Sequence, residues 1–253
     1  MSPEARSRWD GRARPRPVDL RDAAYDATST DPPRHKLLVC AAPRSSSKRL
    51  ARLLLGAGLG VPMEYFNENS VRPLLARWGI DRRDYVAHLY AKRSANGVFA
   101  SNLQQQQLHA WPYREDFDGL FEGATVVHLV RADKRAQAAS LAACLLTGQW
   151  GFEEPDHTPE FSAREMRRAA AKAMAIVADD DGQLERWFAL YAVSPIRLAS
   201  EDVNRADLKV VENLAAHLGV EFDRAGAERM LEYDRGPYRG YEALKTRLLE
   251  YLA

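Results

Sequence analysis

Four apolar runs bounded by turn residues predict buried strands: Leu37–Ala42, Val98–Leu103, Thr125–Val130 and the shorter Ile196–Ala199. Between them apolar residues recur at helical spacing. Leu50, Leu53 and Leu54 form one stripe, closed by Gly56, Gly58 and Gly60. Leu74, Leu75 and Trp78 form a second, with Asn69 or Ser70 as its cap. Asp81 caps a third helix, which buries Tyr85, Val86, Leu89 and Tyr90. Asp133 is the N-cap of a helix from Lys134 to about Leu146, stopped by Gly148. Ser162 and Glu165 have capping-box spacing and open a long helix. The run Asp179-Asp180-Asp181-Gly182 reads as a break in that helix or a charged bend, before Leu184, Trp187, Phe188 and Leu190 continue the pattern. Three more helices are expected, over about 205–218, 225–233 and 240–252.

Strands alternating with helices predict an α/β fold, a three-layer arrangement with a parallel sheet and helices on both faces. A single domain is expected over 35–253. Residues 1–34, with Arg6, Arg8, Arg12, Arg14 and Arg16 among several prolines, read as a flexible or partly ordered arm, solvated except where Trp9 and Tyr25 dock. In such sheets ligands bind beyond the carboxyl ends of the strands. Arg44–Lys48, Arg131 with Ser140, and Glu201-Asp202 all fall on that edge.

Composition narrows the setting. The 253 residues carry 36 basic and 35 acidic side chains, a net charge of +1, so no bulk field selects nucleic acid or membrane. No apolar run is long enough for a membrane span, and no signal core is evident. Cys40 and Cys144 fall in a strand and a helix and read as reduced core residues, which points to a cytoplasmic protein. The three consecutive aspartates read as a solvated acidic turn, not a metal site.

The segment after the first strand changes the picture. Pro43 stops the strand, and Arg44-Ser45-Ser46-Ser47-Lys48 open a helix. A loop between a strand and a helix N-terminus aims backbone N–H groups and the positive dipole end at one spot, which suits a phosphate. The plain alternative is a solvated polar turn. The magnesium-nucleotide loop G-x-x-x-x-G-K-[ST] would put Ala42 and Ser47 at its glycines and Arg49 at its metal-binding hydroxyl. Both glycines and the hydroxyl are missing, which argues for a phosphate loop that works without a metal. Arg131 leaves its strand as Arg44 does, giving two basic strand ends for a nucleotide with phosphates at both ends.

At these residues the chain resembles a known family. APRSSSKRLARLL is similar to the 5′-phosphosulfate loop of sulfotransferases that use 3′-phosphoadenosine-5′-phosphosulfate (PAPS). GVPMEYFN, followed by RPLLARWG, resembles a segment of the bacterial trehalose 2-sulfotransferase type, and HLVRADKRAQAASLAACLLTGQW resembles that type's 3′-phosphate stretch. The resemblance covers about residues 36–220 and implies the P-loop-like sulfotransferase fold. It implies PAPS as donor, 3′-phosphoadenosine-5′-phosphate (PAP) as product, no metal, a sugar-containing hydroxyl acceptor and a homodimer. By the same resemblance Arg44 contacts the 5′-phosphosulfate, the amides of Ser45, Ser46, Ser47 and Lys48 cradle it, and Arg131 and Ser140 hold the 3′-phosphate. Glu64 is the implied general base, partly desolvated beside Tyr65 and Phe66.

The departures are specific. Ser46 replaces the loop's usual glycine, Lys48 a small hydroxyl residue, and Asn102 a lysine in the F-x-x-K-L stretch. They leave a second reading open, a catalytically weakened nucleotide-binding protein of the same fold. A metal-independent phosphotransferase is a third. In the run Gln104–Gln107, Gln105 and Gln107 are expected to face the acceptor cleft, with Gln104 and Gln106 on the helix surface.

Overall fold

The computed structural model describes residues 20–27, 31–150, 160–205, 207–233 and 239–252. Trp9, the five arginines between positions 6 and 16, and the loop containing Pro155, His157 and Pro159 lie outside the described residues. The strands are β1 (His35–Ala41), β2 (Ser94–Ala95), β3 (Val98–Leu103), β4 (Thr125–Val130) and β5 (Ile196–Ala199). The α-helices are α1 (Ser47–Gly56), α2 (Glu68–Trp78), α3 (Tyr85–Arg93), α4 (Gln105–Ala110), α5 (Glu115–Phe121) and α6 (Lys134–Thr147), followed by α7 (Ala163–Leu190), α8 (Ser200–Val203), α9 (Lys209–Leu218), α10 (Arg224–Tyr233) and α11 (Arg239–Leu249).

The sheet order is β2-β3-β1-β4-β5, with β3, β1, β4 and β5 parallel and β2 antiparallel. The chain leaves β1 toward β3 on one side and later returns to β4 on the other. The carboxyl end of β1 is thus the switch point at which such sheets bind ligands. Side chains alternate across β1: Leu37, Val39 and Ala41 join the apolar layer under α1, α9 and α10, while Leu38 and Cys40 join the opposite layer with Tyr65, Phe99, Phe117 and Trp187. A third apolar cluster joins α6, α7 and α11 through Ala142, Ala173, Leu244 and Leu248. Gly56 does more than end α1. A Cβ there would lie 2.5 Å from the Gly226 carbonyl oxygen, so α10 packs on α1 only because both positions are glycine.

Several expectations need correction. Asn67, not Asn69 or Ser70, caps α2, its side-chain oxygen accepting from Asn69 N–H at 3.0 Å. Asp81 precedes a 3-10 turn and makes no side-chain cap bond. The run Asp179–Gly182 neither breaks nor bends the helix, because α7 is continuous from Ala163 to Leu190. Its charges are accommodated one by one. Asp181 pairs with Lys134, Asp179 with Arg186, and Asp180 turns inward, 2 % exposed. The helix expected from about 205 starts at Lys209. The two-residue β2 and helix α5 were not anticipated.

Part of the N-terminal segment lies on the domain. Tyr25 and Leu20 pack on the core, and Asp26 forms an ion pair with the fully buried Arg93 at 2.9 Å. Arg93 also donates to the Leu20 and Arg21 carbonyls, at 2.7 and 3.2 Å.

Candidate functional site

The segment 42–48 is no solvated turn. Ser45 is fully buried and Ser47 is 7 % exposed. Arg44 and Ser46 have φ of 64° and 67°, both in the left-handed region. Left-handed residues at 44 and 46, directly before the helix that starts at Ser47, suit a concave, anion-binding nest. The N–H groups of Ser45, Ser46, Ser47 and Lys48 donate to no described residue. They sit at the N-terminus of α1, whose dipole adds positive potential. Ser46 does adopt the conformation that usually calls for glycine.

Two cations frame this nest. Arg44 Nη1 and Lys48 Nζ each lie 3.3 Å from the carbonyl oxygen of Trp150, so both heads reach one oxygen position. Arg44 Nε donates to Ser140 Oγ at 3.0 Å. Arg131 Nη1 donates to the Arg44 carbonyl at 3.3 Å. Arg44, Lys48, Arg131 and Ser140 therefore form one connected group at the carboxyl ends of β1 and β4. Glu201 joins it by accepting from Ala132 N–H at 3.2 Å. Burial pushes the Glu201 carboxyl up, but the backbone donors at Ala132 and Asp133 and the charge of Arg131 outweigh it and hold the group below its ordinary value.

Glu64 stands on the other side of β1. Its segment adds to the free edge of β3 where β2 stops. Met63 bridges to Ser101 in parallel register, and Asn102 N–H donates to the Met63 carbonyl at 2.9 Å. Tyr65 and Phe66 anchor the segment. Tyr65 stacks on Phe99 with centroids 5.7 Å apart, and Phe66 meets Trp111 edge-on at 5.0 Å. Glu64 itself is half-buried. Its Oε1 accepts from Gln104 Nε2 at 3.0 Å, and its Oε2 from Asn67 Nδ2 and Gln107 Nε2, each at 3.1 Å.

The placement of the glutamines differs from expectation. Gln107 reaches Glu64, as a cleft residue should. Gln105 is buried without touching Glu64, and Gln104, expected on the surface, is the other partner. The reason is the capping box between Gln104 and Gln107, which starts α4 one residue after Gln104 and turns both amides toward Glu64. An N-cap Gln with Gln three residues later was the available signal. Asn67 was missed because its role as helix cap and as Glu64 partner depends on the true start of α2.

Asn102 links the two halves. Its backbone holds the Glu64 segment, and its side-chain Nδ2 lies 3.4 Å from the Ser47 carbonyl. Arg49, at the place of a magnesium-binding hydroxyl, donates to the Val203 carbonyl at 2.9 Å.

The architecture agrees with comparison to known proteins. The family model of Stf0 sulphotransferase matches residues 36–235, a span that takes in β1, the nest, Glu64, Arg131 and Ser140. Comparison with curated proteins gives no match. No helix among the described residues is long and apolar enough to cross a membrane. With most of its length matched, the chain belongs to the Stf0 sulphotransferase family.

Proposed function

We propose that the chain transfers a sulfuryl group from PAPS to a hydroxyl of a sugar-containing small molecule, releasing PAP. The observation that carries this reading is the nest at 45–48, four amides that donate to no described residue, framed by Arg44 and Lys48. It suits a doubly charged 5′ group, and Arg131 with Ser140 suits the 3′-phosphate. When bound, PAPS supplies an activated sulfuryl group and a phosphate leaving group.

The side chains then divide the work. Arg44, Lys48 and the amides of Ser45–Lys48 stabilise the charge that gathers on the 5′-phosphate. Glu64 takes the proton of the attacking hydroxyl. A carboxylate offers about four acceptor positions, two on each oxygen. Oε2 has both filled by Asn67 and Gln107, whereas Oε1 has one filled by Gln104. Oε1 is therefore the proton-accepting atom, and the three carboxamides fix its direction. The reaction runs without a metal in this reading, since Arg49 is engaged in structure where a metal hydroxyl would stand. The buried Cys40 and Cys144 suit a reducing, cytoplasmic setting.

Incubation with sulfur-labelled PAPS and a panel of sugars and glycosides tests the proposal. Label should pass to at least one sugar hydroxyl. Tight PAP binding with no transfer to any acceptor would instead favour the weakened binding protein, for which Asn102 in place of a lysine is the supporting feature.

A further inference from the structure

Every backbone carbonyl from Ala42 to Ser47 is engaged. Ala42 accepts from Ser45 Oγ at 2.7 Å, Pro43 from Gln137 Nε2 at 2.8 Å, and Arg44 from Arg131 Nη1 at 3.3 Å. Ser45 accepts from Ser200 Oγ at 2.5 Å, Ser46 from Leu50 N–H at 3.0 Å, and Ser47 from Asn102 Nδ2 at 3.4 Å. Two of these donors, Ser45 Oγ and Leu50 N–H, belong to the loop and α1, and the other four come from α6, the end of β4, the start of α8 and the end of β3. Gln137 and Ser200 are fully buried. Both bond the loop through its carbonyls.

A peptide unit is rigid, so a carbonyl held on one side aims the next residue's N–H to the other. Holding the Arg44 and Ser45 carbonyls fixes the directions of the first two nest amides, Ser45 and Ser46, and holding the Pro43 carbonyl fixes the peptide that leads into the left-handed Arg44. Two non-glycine residues in the left-handed region also cost free energy, which the surrounding structure has to offset. Buried hydrogen bonds to their own and neighbouring carbonyls do so. We infer that Gln137 and Ser200 are positioning residues for anion binding: from behind the loop, they hold the Pro43 and Ser45 carbonyls away from the ligand and so keep a cradle without glycine in its binding shape. This rests on the proposed function for the identity of the nucleotide but not for the loop's affinity for a phosphate group.

The test uses the full chain and two probes, PAP and inorganic pyrophosphate, the second reading the loop without the nucleoside. Ser200→Ala and Gln137→Met each delete one donor with little change of volume. Each should weaken both probes about tenfold, the weight of one hydrogen bond to a buried carbonyl. Ser200→Thr, which keeps the hydroxyl, should restore most of the affinity. In turnover assays the loss should appear in the KM for PAPS more than in kcat, which a general loss of structure would not produce. Should Ser200→Ala fail to fold, Gln137→Met gives the same reading from the other tether. Wild-type affinity for both probes in both variants overturns the positioning role and leaves the sulfotransferase reading intact. Wild-type protein that binds pyrophosphate but not PAP contradicts the nucleotide reading, and the variants then decide the positioning role on pyrophosphate alone. Wild-type protein that binds neither overturns both.

Discussion

Arg44 Nε donates to Ser140 Oγ at 3.0 Å, across 96 residues of sequence. These two residues were expected at opposite ends of a nucleotide, one at the 5′-phosphosulfate and one at the 3′-phosphate. Their direct contact makes the two ends of the site one hydrogen-bonded unit. In the proposed reading Ser140 has two tasks, as a donor toward a ligand and as the acceptor that orients a guanidinium.

Ser140→Ala should then cost more than one ligand contact. Loss of the hydroxyl takes one partner from Arg44 as well as removing a proposed phosphate donor, and PAP affinity should fall at least tenfold, or about 1.4 kcal/mol. Calorimetric titration measures this. An unchanged dissociation constant would show that neither task matters.

Glu64→Gln should spare PAP binding and lower kcat by on the order of 10²- to 10⁴-fold, the usual weight of a general base. The amide cannot take the proton, and its NH₂ would face one of the three donors that now hold the carboxylate. Gln104→Leu should reduce kcat less, because Oε1 keeps its basicity but loses its fixed direction. A wild-type rate in Glu64→Gln removes the base assignment.

Ser46→Gly should stabilise the fold. Ser46 holds φ 67° and ψ 19°, where a Cβ is costly and glycine is at ease. After the entropy lost by glycine on folding, a gain of about 0.5–1 kcal/mol in chemical denaturation is expected, with PAP affinity retained. Destabilisation would mean that the side chain has a role beyond bearing the strain.

How much of this was legible in the chain follows from what each signal measures. Three strands, Val98–Leu103, Thr125–Val130 and Ile196–Ala199, have the bounds that their apolar runs predict, because a short apolar run ended by turn residues is a local signal. The Ser162–Glu165 capping box is equally local and is formed as expected. The errors lie where tertiary contacts decide. Three aspartates and a glycine read as a helix break, yet Lys134 from α6 pairs with Asp181, and Arg186, further along the same helix, pairs with Asp179. The two residues of β2 carry no periodicity, and only their pairing with β3 defines them. At the site, the loop and Arg131 were readable from strand-end position. The tethers from Gln137 and Ser200 were not, since each spans about 90 residues or more of sequence.

Asp180 gives a pH-dependent prediction. It is 2 % exposed and its Oδ2 has no hydrogen-bond partner among the described residues. Burial, with Asp179 and Asp181 nearby, raises its carboxyl from an ordinary 3.8 to about 6. A folded value above the unfolded one gives stability that is full below pH 3.8 and lost as pH rises through about 6. Asp180→Asn should therefore match wild type near pH 4 and exceed it above pH 6 by on the order of 1–2 kcal/mol. Denaturation at the two pH values checks this. A variant equally stable or less stable at pH 7 contradicts it.

The central claim is that the loop after β1 and the end of β4 together bind a nucleotide phosphorylated at both its 5′ and 3′ positions. Titration of PAP into the wild-type chain and into Arg131→Ala, with adenosine 5′-phosphate as control, tests it most directly. The account predicts saturable one-site binding of PAP, weaker binding of adenosine 5′-phosphate, and loss of that difference in Arg131→Ala. Equal affinity of the wild-type chain for the two nucleotides, or no binding of PAP, would contradict it.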